Sequence, residues 1–312
     1  MKMHEASQFE PTKTNVTYLL ELYGLEIVDF KLPKSGIENC TIIVTTTDGK
    51  YVVRIYRRDY KSDTDVLREV DFTQYLYKHG VPVVATLPNK NGAYISHLEV
   101  NGRTWQAILM AYADGEHAEF YSDTLISELA QVQARMHTLS TSYASYQGLD
   151  ENKILKEEYF IKLIQNRPQL DDQIQSFIDR AEKYQVVLPA MLPKGLCHLD
   201  FDNGNVLSKF GKVTAVLDFD DLAIAPFVMC LAYTLWDVLF TVGPRGATTY
   251  LDRYTDYIKL SSLEKHFLLK IVLFRHYVTG CLKIANDGMD DEILKHYIDI
   301  ENKLLNPQIS HF

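Results

Sequence analysis

The chain has 312 residues, 46% of them apolar and 23% charged, with a formal net charge of −9. That length favours one large domain or two unequal lobes, and the composition is that of a folded, soluble protein. The negative balance lacks the clustered Lys and Arg that nucleic acid or an anionic membrane requires, and it leans towards a cationic small-molecule partner.

At the N-terminus, "MKMHEASQFEPTK" has no apolar leader region, and no apolar run reaches the roughly 18 residues of a membrane span. From Ile42 to Tyr56, "IIVTTTDGKYVVRIY" places two alternating β-branched runs around Asp48-Gly49, the pattern of an antiparallel hairpin. "DTDVLREVDFTQYLYKHG" carries Val66, Val70, Phe72, Tyr75 and Leu76 at helical spacing, with Asp63 as the cap and Gly80 as the stop. Short strands joined by Asn-Gly turns at 91–92 and 101–102 follow, so the first third reads as a twisted antiparallel sheet plus one helix. After Gly115 the pattern turns helical over 121–139, 152–165 and 170–186, and again from about Val228 onwards. One hairpin interrupts it, "NVLSKFGKVTAVLDFD", with a Phe-Gly-Lys turn.

These elements predict an α+β fold of two lobes: a β-rich N-lobe over 1–113, a connector near 111–115 and a helical C-lobe over 114–312. Two lobes with a hinge between them usually mean a ligand in the cleft. Cys40, Cys197, Cys230 and Cys281 lie far apart with no C-x-x-C pair, which indicates neither a zinc knuckle nor a disulfide framework. Buried, reduced thiols in a cytoplasm are the simpler reading.

The chemistry concentrates in "CHLDFDNGNVL", where His198-x-Asp200 is followed by Asn205 and, after the hairpin, by Asp218-Phe219-Asp220. Phosphoryl transfer needs a carboxylate to orient or deprotonate the attacking hydroxyl, and oxygen ligands to hold magnesium on the phosphates. Asp200 fits the first role; Asn205 and Asp218 fit the second. His198 then supports the loop through its backbone and is not itself the base. Asp202 and Asp220 fit a metal-assisting carboxylate and a capping carboxylate equally well.

This arrangement resembles the H-x-D-x-x-x-x-N catalytic loop and D-F-G-type metal aspartate of the protein-kinase-like fold. Within that fold the chain is similar to the aminoglycoside phosphotransferase and choline kinase-like family. "SGIENCTIIVTTTDGKYVVRIY" looks like the family's nucleotide loop and first strands, "LREVDFTQYLYKHGVPV" like its N-lobe helix and "ILMAYADGEH" like its hinge. "LAQVQARMHTLS" resembles its L-x-x-L-H helix, and "CHLDFDNGNVL…VTAVLDFDD" its catalytic and metal loops. The resemblance implies that Asp200 is the catalytic aspartate and that Asn205 and Asp218 hold magnesium. It implies that Arg54, where protein kinases carry a lysine, reaches the phosphates and pairs with Glu69. Ser35 and Gly36 would cover the phosphates, with Met110 at the back of the adenine pocket and Ala111 and Ala113 offering it backbone carbonyl and amide. The chain departs from the family at Leu199, where a small residue is usual, and at Ala225 and Cys230, where aspartates are frequent.

The expected function is magnesium-dependent transfer of the γ-phosphoryl of ATP or GTP to a hydroxyl of a small molecule, an aminoglycoside or other antibiotic. The alternative acceptor is a metabolite such as homoserine, choline or a related amino alcohol or amino acid. A protein kinase fits less well, because too few residues separate Asp218 from Ala225-Pro226 for an activation loop. A non-catalytic nucleotide-binding module would be expected to lose one of Asp200, Asn205 and Asp218, and all three are present. Helical spacing assigns His137, Tyr233, Trp236, Arg275, His276 and Tyr277 to core packing, and makes 287–292 a solvated helix start.

Overall fold

The computed structural model describes residues 11–31, 39–56, 61–100, 102–117, 121–143, 172–287 and 291–306. Ser35, Gly36 and the helix expected over 152–165 lie outside them. The chain separates into two compact units, Met1–Gly115 and Glu116–Phe312.

The first unit is an antiparallel sheet of β1 (Ile27–Lys31), β2 (Asn39–Thr46), β3 (Gly49–Tyr56), β4 (Thr86–Leu87), β5 (Ser96–Val100) and β6 (Arg103–Ala111). The strand order is β1-β2-β3-β6-β4, with β5 also on β6. The β2–β3 hairpin pairs Thr46 with Gly49 around a two-residue turn, and Gly49 takes the φ of 140° that a side chain would resist. Helix α1 (Lys13–Tyr23), which the sequence reading did not single out, opens with a capping box between Thr12 and Asn15. Helix α2 (Asp63–Lys78) is capped by Ser62, not by Asp63 as expected from the sequence. Ser62 Oγ accepts from the Asp65 amide, while Asp65 accepts from the Ser62 amide. A hydroxyl one residue earlier closes this reciprocal box, and Asp63 becomes the first helical residue.

Strand alternation divides β3 between two apolar layers. Val53 and Ile55 pack with Ile42, Val44, Leu98, Trp105 and the α1 side chains Val16, Leu19 and Leu20. Tyr56 packs on the other layer with Ile108, Ile95 and the α2 residues Val66 and Val70. The two-residue period therefore puts Arg54 on the α2 side of the sheet, in line with Tyr56.

The second unit contains α3 (Asp123–Ser142), α4 (Asp172–Tyr184), α5 (Phe227–Thr241), α6 (Pro244–Tyr257), α7 (Ser262–Asp287) and α8 (Asp291–Leu305). Helix α3 packs on α6, and α7 packs on both α4 and α5. Two small antiparallel sheets are set among them. One pairs β8 (Lys194–Cys197) with β11 (Ala223–Pro226). The other has the order β10-β9-β7, from β7 (Glu116–His117), β9 (Val206–Lys209) and β10 (Lys212–Val216). The β9–β10 turn is Phe210-Gly211, both at positive φ. Among the described residues, no helix is long and apolar enough to cross a membrane.

Candidate active site

In the first unit, the Arg54 guanidinium lies 4.0 Å from the Glu69 carboxylate, and both side chains are buried. Glu69 occupies the α2 face between Val66 and Val70 that points at the sheet. It also receives the Lys61 ammonium at 3.2 Å and a hydrogen bond from the Tyr56 hydroxyl at 3.2 Å. Two cations therefore share the Glu69 carboxylate in a buried setting. Lys61 escaped the sequence reading because it lies outside both the strand and the helix. Met110 is half-buried against the layer of Tyr56, Ile108 and Ile95. Ala111 already donates its N–H to the Ala85 carbonyl at 2.9 Å, so what it has to offer an adenine is its carbonyl. Ala113 follows two residues beyond the end of β6 and is half-buried.

In the second unit, β8 leads into the loop carrying His198, Asp200 and Asn205, and β10 leads into Asp218. Cys197 pairs with Ala223, so the β8–β11 ladder holds the start of one loop against the end of the other. The buried His198 ring joins them. Its Nε2 is 2.7 Å from the Leu217 carbonyl, and its Nδ1 accepts from the Asp200 amide at 3.3 Å. A carbonyl on one side and an N–H on the other fix the neutral tautomer with the proton on Nε2. Phe219 packs on the ring at 4.6 Å between centroids.

Asn205 Nδ2 donates to Asp200 Oδ2 at 2.8 Å and to the Asp200 carbonyl at 2.9 Å. Both partners are acceptors, so the amide orientation follows from the bonding and Oδ1 is turned away from Asp200. Asp218 is exposed and adopts the left-handed conformation, φ 57° and ψ 71°, while its carboxylate accepts from the Asp220 amide at 3.3 Å. The oxygens of Asn205 and Asp218 are hard donors of the kind magnesium takes, so this set fits that ion. Leu199, at φ 59°, explains why a small residue suits its position: a side chain there costs about 1–2 kcal/mol. Asp202 caps the short turn that follows, accepting from the amides of Gly204 at 2.9 Å and Asn205 at 3.2 Å.

In the second unit the structure adds two further residues, Asp237 and Tyr121, that the sequence pattern did not reveal. Asp237, on α5, accepts from the Tyr121 hydroxyl at 2.8 Å and carries charge close to both Asp200 and Asp202. Burial raises the Asp237 pKa, opposed by the Tyr121 bond and by Arg275. Burial and then the charges of Asp200 and Asp237 push Asp202 up to about 6. The signal for Asp237 was present in "LAYTLWDVLF", a single carboxylate in an otherwise apolar helical run. Tyr233, His276 and Tyr277 are buried core residues.

A sheet unit with a buried cation–carboxylate pair, and a helical unit bearing paired loops with Asp, Asn and Asp, define the protein-kinase-like class of α+β folds. Residues 29–263 match the model of the phosphotransferase enzyme family, and the chain belongs to that family. It is 29% identical over 198 residues to the amicoumacin kinase of Bacillus subtilis (strain 168), covering 61% of this chain and 57% of that protein. It is 25% identical over 220 residues to the homoserine kinase of Methylobacillus flagellatus, covering 70% and 64%. The matched stretches thus span less than two thirds of either relative. The solved structure of amicoumacin kinase hAmiN with AMP-PNP, Ca2+ and Ami superposes with a TM-score of 0.72, at 19% identity and 94% coverage of both chains.

Proposed function

We propose that the protein is a magnesium-dependent kinase that moves the γ-phosphoryl of ATP, or of GTP, to the hydroxyl of a small acceptor. The observation that carries this reading is the tie between Asn205 and Asp200: the amide nitrogen holds the carboxylate that would receive the hydroxyl proton, and the amide oxygen is turned away from it, where it would take a metal. Bound magnesium would neutralise charge spreading over the phosphoryl oxygens. Asn205 and Asp218 would hold it, with Asp220 positioning the Asp218 carboxylate through its amide. Asp200 aligns the acceptor hydroxyl and takes its proton, while His198 holds the Asp200 backbone in place. Arg54, kept in position by Glu69, supplies positive charge to the phosphates, and Met110, Ala111 and Ala113 receive the adenine. Ser35 and Gly36 keep their proposed place over the phosphates.

Asp237 and Asp202 add negative charge beside Asp200, which favours an acceptor that carries an ammonium group near its hydroxyl. Antibiotics with amino groups meet that requirement. So do homoserine, choline and other amino alcohols, the second reading that the two relatives support equally.

A coupled ADP-release screen of aminoglycosides, other antibiotics, amino alcohols, amino acids and sugars tests both statements. Magnesium-dependent turnover on at least one hydroxylated amine is expected. Nucleotide binding without turnover on any acceptor would instead identify a binding module. With the acceptor in hand, Asp237→Asn should raise its KM roughly tenfold, as loss of one partly screened charge contact of about 1.4 kcal/mol requires, and leave the KM of the nucleotide unchanged.

A further inference from the structure

Below the catalytic loop the fold gathers three soft donors that are distant in sequence. His137 of α3, Cys197 at the end of β8 and Cys230 in the first turn of α5 place a ring nitrogen and two sulfurs within 4.8 Å of one another. Each of the three residues is 1% exposed. Among the described residues, this is the one group of three potential metal-ligating side chains so close together.

A second observation points to an occupant. His137 Nδ1 lies 2.7 Å from the Tyr254 hydroxyl, whereas Nε2 is enclosed and turned towards the Cys230 sulfur. With Nδ1 donating to Tyr254, Nε2 carries the lone pair, which is the tautomer and the orienting contact of a metal-ligating histidine. Phe227 stacks on the ring at 4.7 Å and fixes its plane. On the sulfur side, Gln133 Nε2 donates chiefly to Thr234 Oγ1 at 2.8 Å and makes longer contacts with the Cys230 carbonyl at 3.4 Å and Cys230 Sγ at 3.5 Å. Its Oε1 accepts from Tyr250 at 3.0 Å, which fixes the amide with its nitrogen towards the sulfur. A donor held against sulfur supports a thiolate.

We propose that His137, Cys197 and Cys230 form a binding site for a thiophilic metal cation, and that Zn2+ is the ion it fits. Sulfur donors disfavour magnesium and calcium, and leave zinc and Cu+ as candidates. Two thiolates, a neutral imidazole and Zn2+ sum to zero, whereas Cu+ would leave a net negative charge in a buried site. Zinc–sulfur and zinc–nitrogen bonds of about 2.3 and 2.0–2.1 Å put tetrahedral ligands about 3.5–3.8 Å apart, so a contraction of about 1 Å brings the three donors onto the ion and leaves a fourth position for an exogenous ligand. Cys197 adjoins His198, and the Leu199 amide lies against Cys230 sulfur. A bound ion therefore ties the base of the catalytic loop to α3 and α5.

The test uses the full chain, stripped with a chelator, kept reduced with a phosphine and titrated with Co2+. A sulfur-to-cobalt charge-transfer band is expected, saturating at one equivalent and bleached by one equivalent of Zn2+. Cys197→Ala and Cys230→Ala should each weaken or abolish the band, while Cys40→Ala, Cys281→Ala and Asp218→Asn retain it. The last of these separates the site from the magnesium ligands. A folded wild-type chain with no such band overturns the proposal, even if the alanine variants fail to fold. So does a band that survives the loss of both Cys197 and Cys230. Displacement of bound Zn2+ by stoichiometric Cu+, under anaerobic conditions, would overturn the choice of zinc.

Discussion

Arg54 and Glu69 sit on regular elements, a strand and a helix, and Glu69 has three partners in Arg54, Lys61 and Tyr56. Asp200, Asn205 and Asp218 sit on loops, where Leu199 and Asp218 hold left-handed backbone and His198 and Asn205 are bonded mainly to the loops themselves. The first arrangement places charge by periodicity and secures it by redundancy. The second stores strain and depends on a few mutual bonds, a usual trade at functional sites. Substitutions in the first unit should therefore be felt chiefly as stability, and those in the second chiefly as rate.

The largest expected effect is on the loop side. Asp200→Ala should lower kcat by about 10²–10⁴-fold, with nucleotide affinity and melting temperature near wild type. Unchanged turnover in a steady-state assay would remove Asp200 as the base. On the other side, Glu69→Ala leaves Arg54 and Lys61 without their shared carboxylate and should destabilise by about 3–5 kcal/mol in urea unfolding. A loss under 1 kcal/mol would show that the pair is better solvated than its burial implies.

His276, buried on α7, provides a control within the helical unit. It accepts from Trp236 Nε1 at 3.2 Å, and burial pushes its pKa down from 6.5 to about 3. Above pH 6.5 it is neutral whether folded or unfolded and has no effect. As pH falls from 6.5 towards 3, the unfolded chain takes up a proton that the native state refuses, so stability declines by at most about 1.4 kcal/mol per pH unit. His276→Gln should flatten that part of the melting-temperature profile without altering the pH dependence of kcat. The smallest effect tests the strain directly. Leu199→Gly should leave the protein equally stable or more stable by about 1 kcal/mol, because glycine relieves the left-handed backbone but costs chain entropy. A clear destabilisation would mean that the leucine side chain contributes more than its backbone costs.

Legibility in the sequence followed the same division. The β2–β3 hairpin, α2 and the β9–β10 hairpin announce themselves through period and turn residues, and Asp200, Asn205 and Asp218 are singled out as candidates by their spacing. The α2 cap was displaced by one residue, because Ser62 and Asp65 bond reciprocally and spacing alone does not reveal it. Lys61, Tyr121 and Asp237 act through partners far away in the chain or outside any periodic pattern, and local pattern holds no record of such contacts. The grouping of His137 with Cys197 and Cys230 was hidden for the same reason: a spacing rule for metal sites applies where the ligands share one loop or hairpin.

The ladders β8–β11 and β9–β10 fix the chain on both sides of the loops that carry Asp200 and Asp218, so from Cys197 to Ala223 the path has little slack. Its loosest point is the Phe210-Gly211 turn, where the Phe210 side chain is 93% exposed. A peptide tag or a fluorophore inserted there would lengthen neither loop. One residue added between Asp200 and Asn205 would break the bond by which each holds the other in place. The turn is thus the natural place to attach a reporter of the two candidate loops.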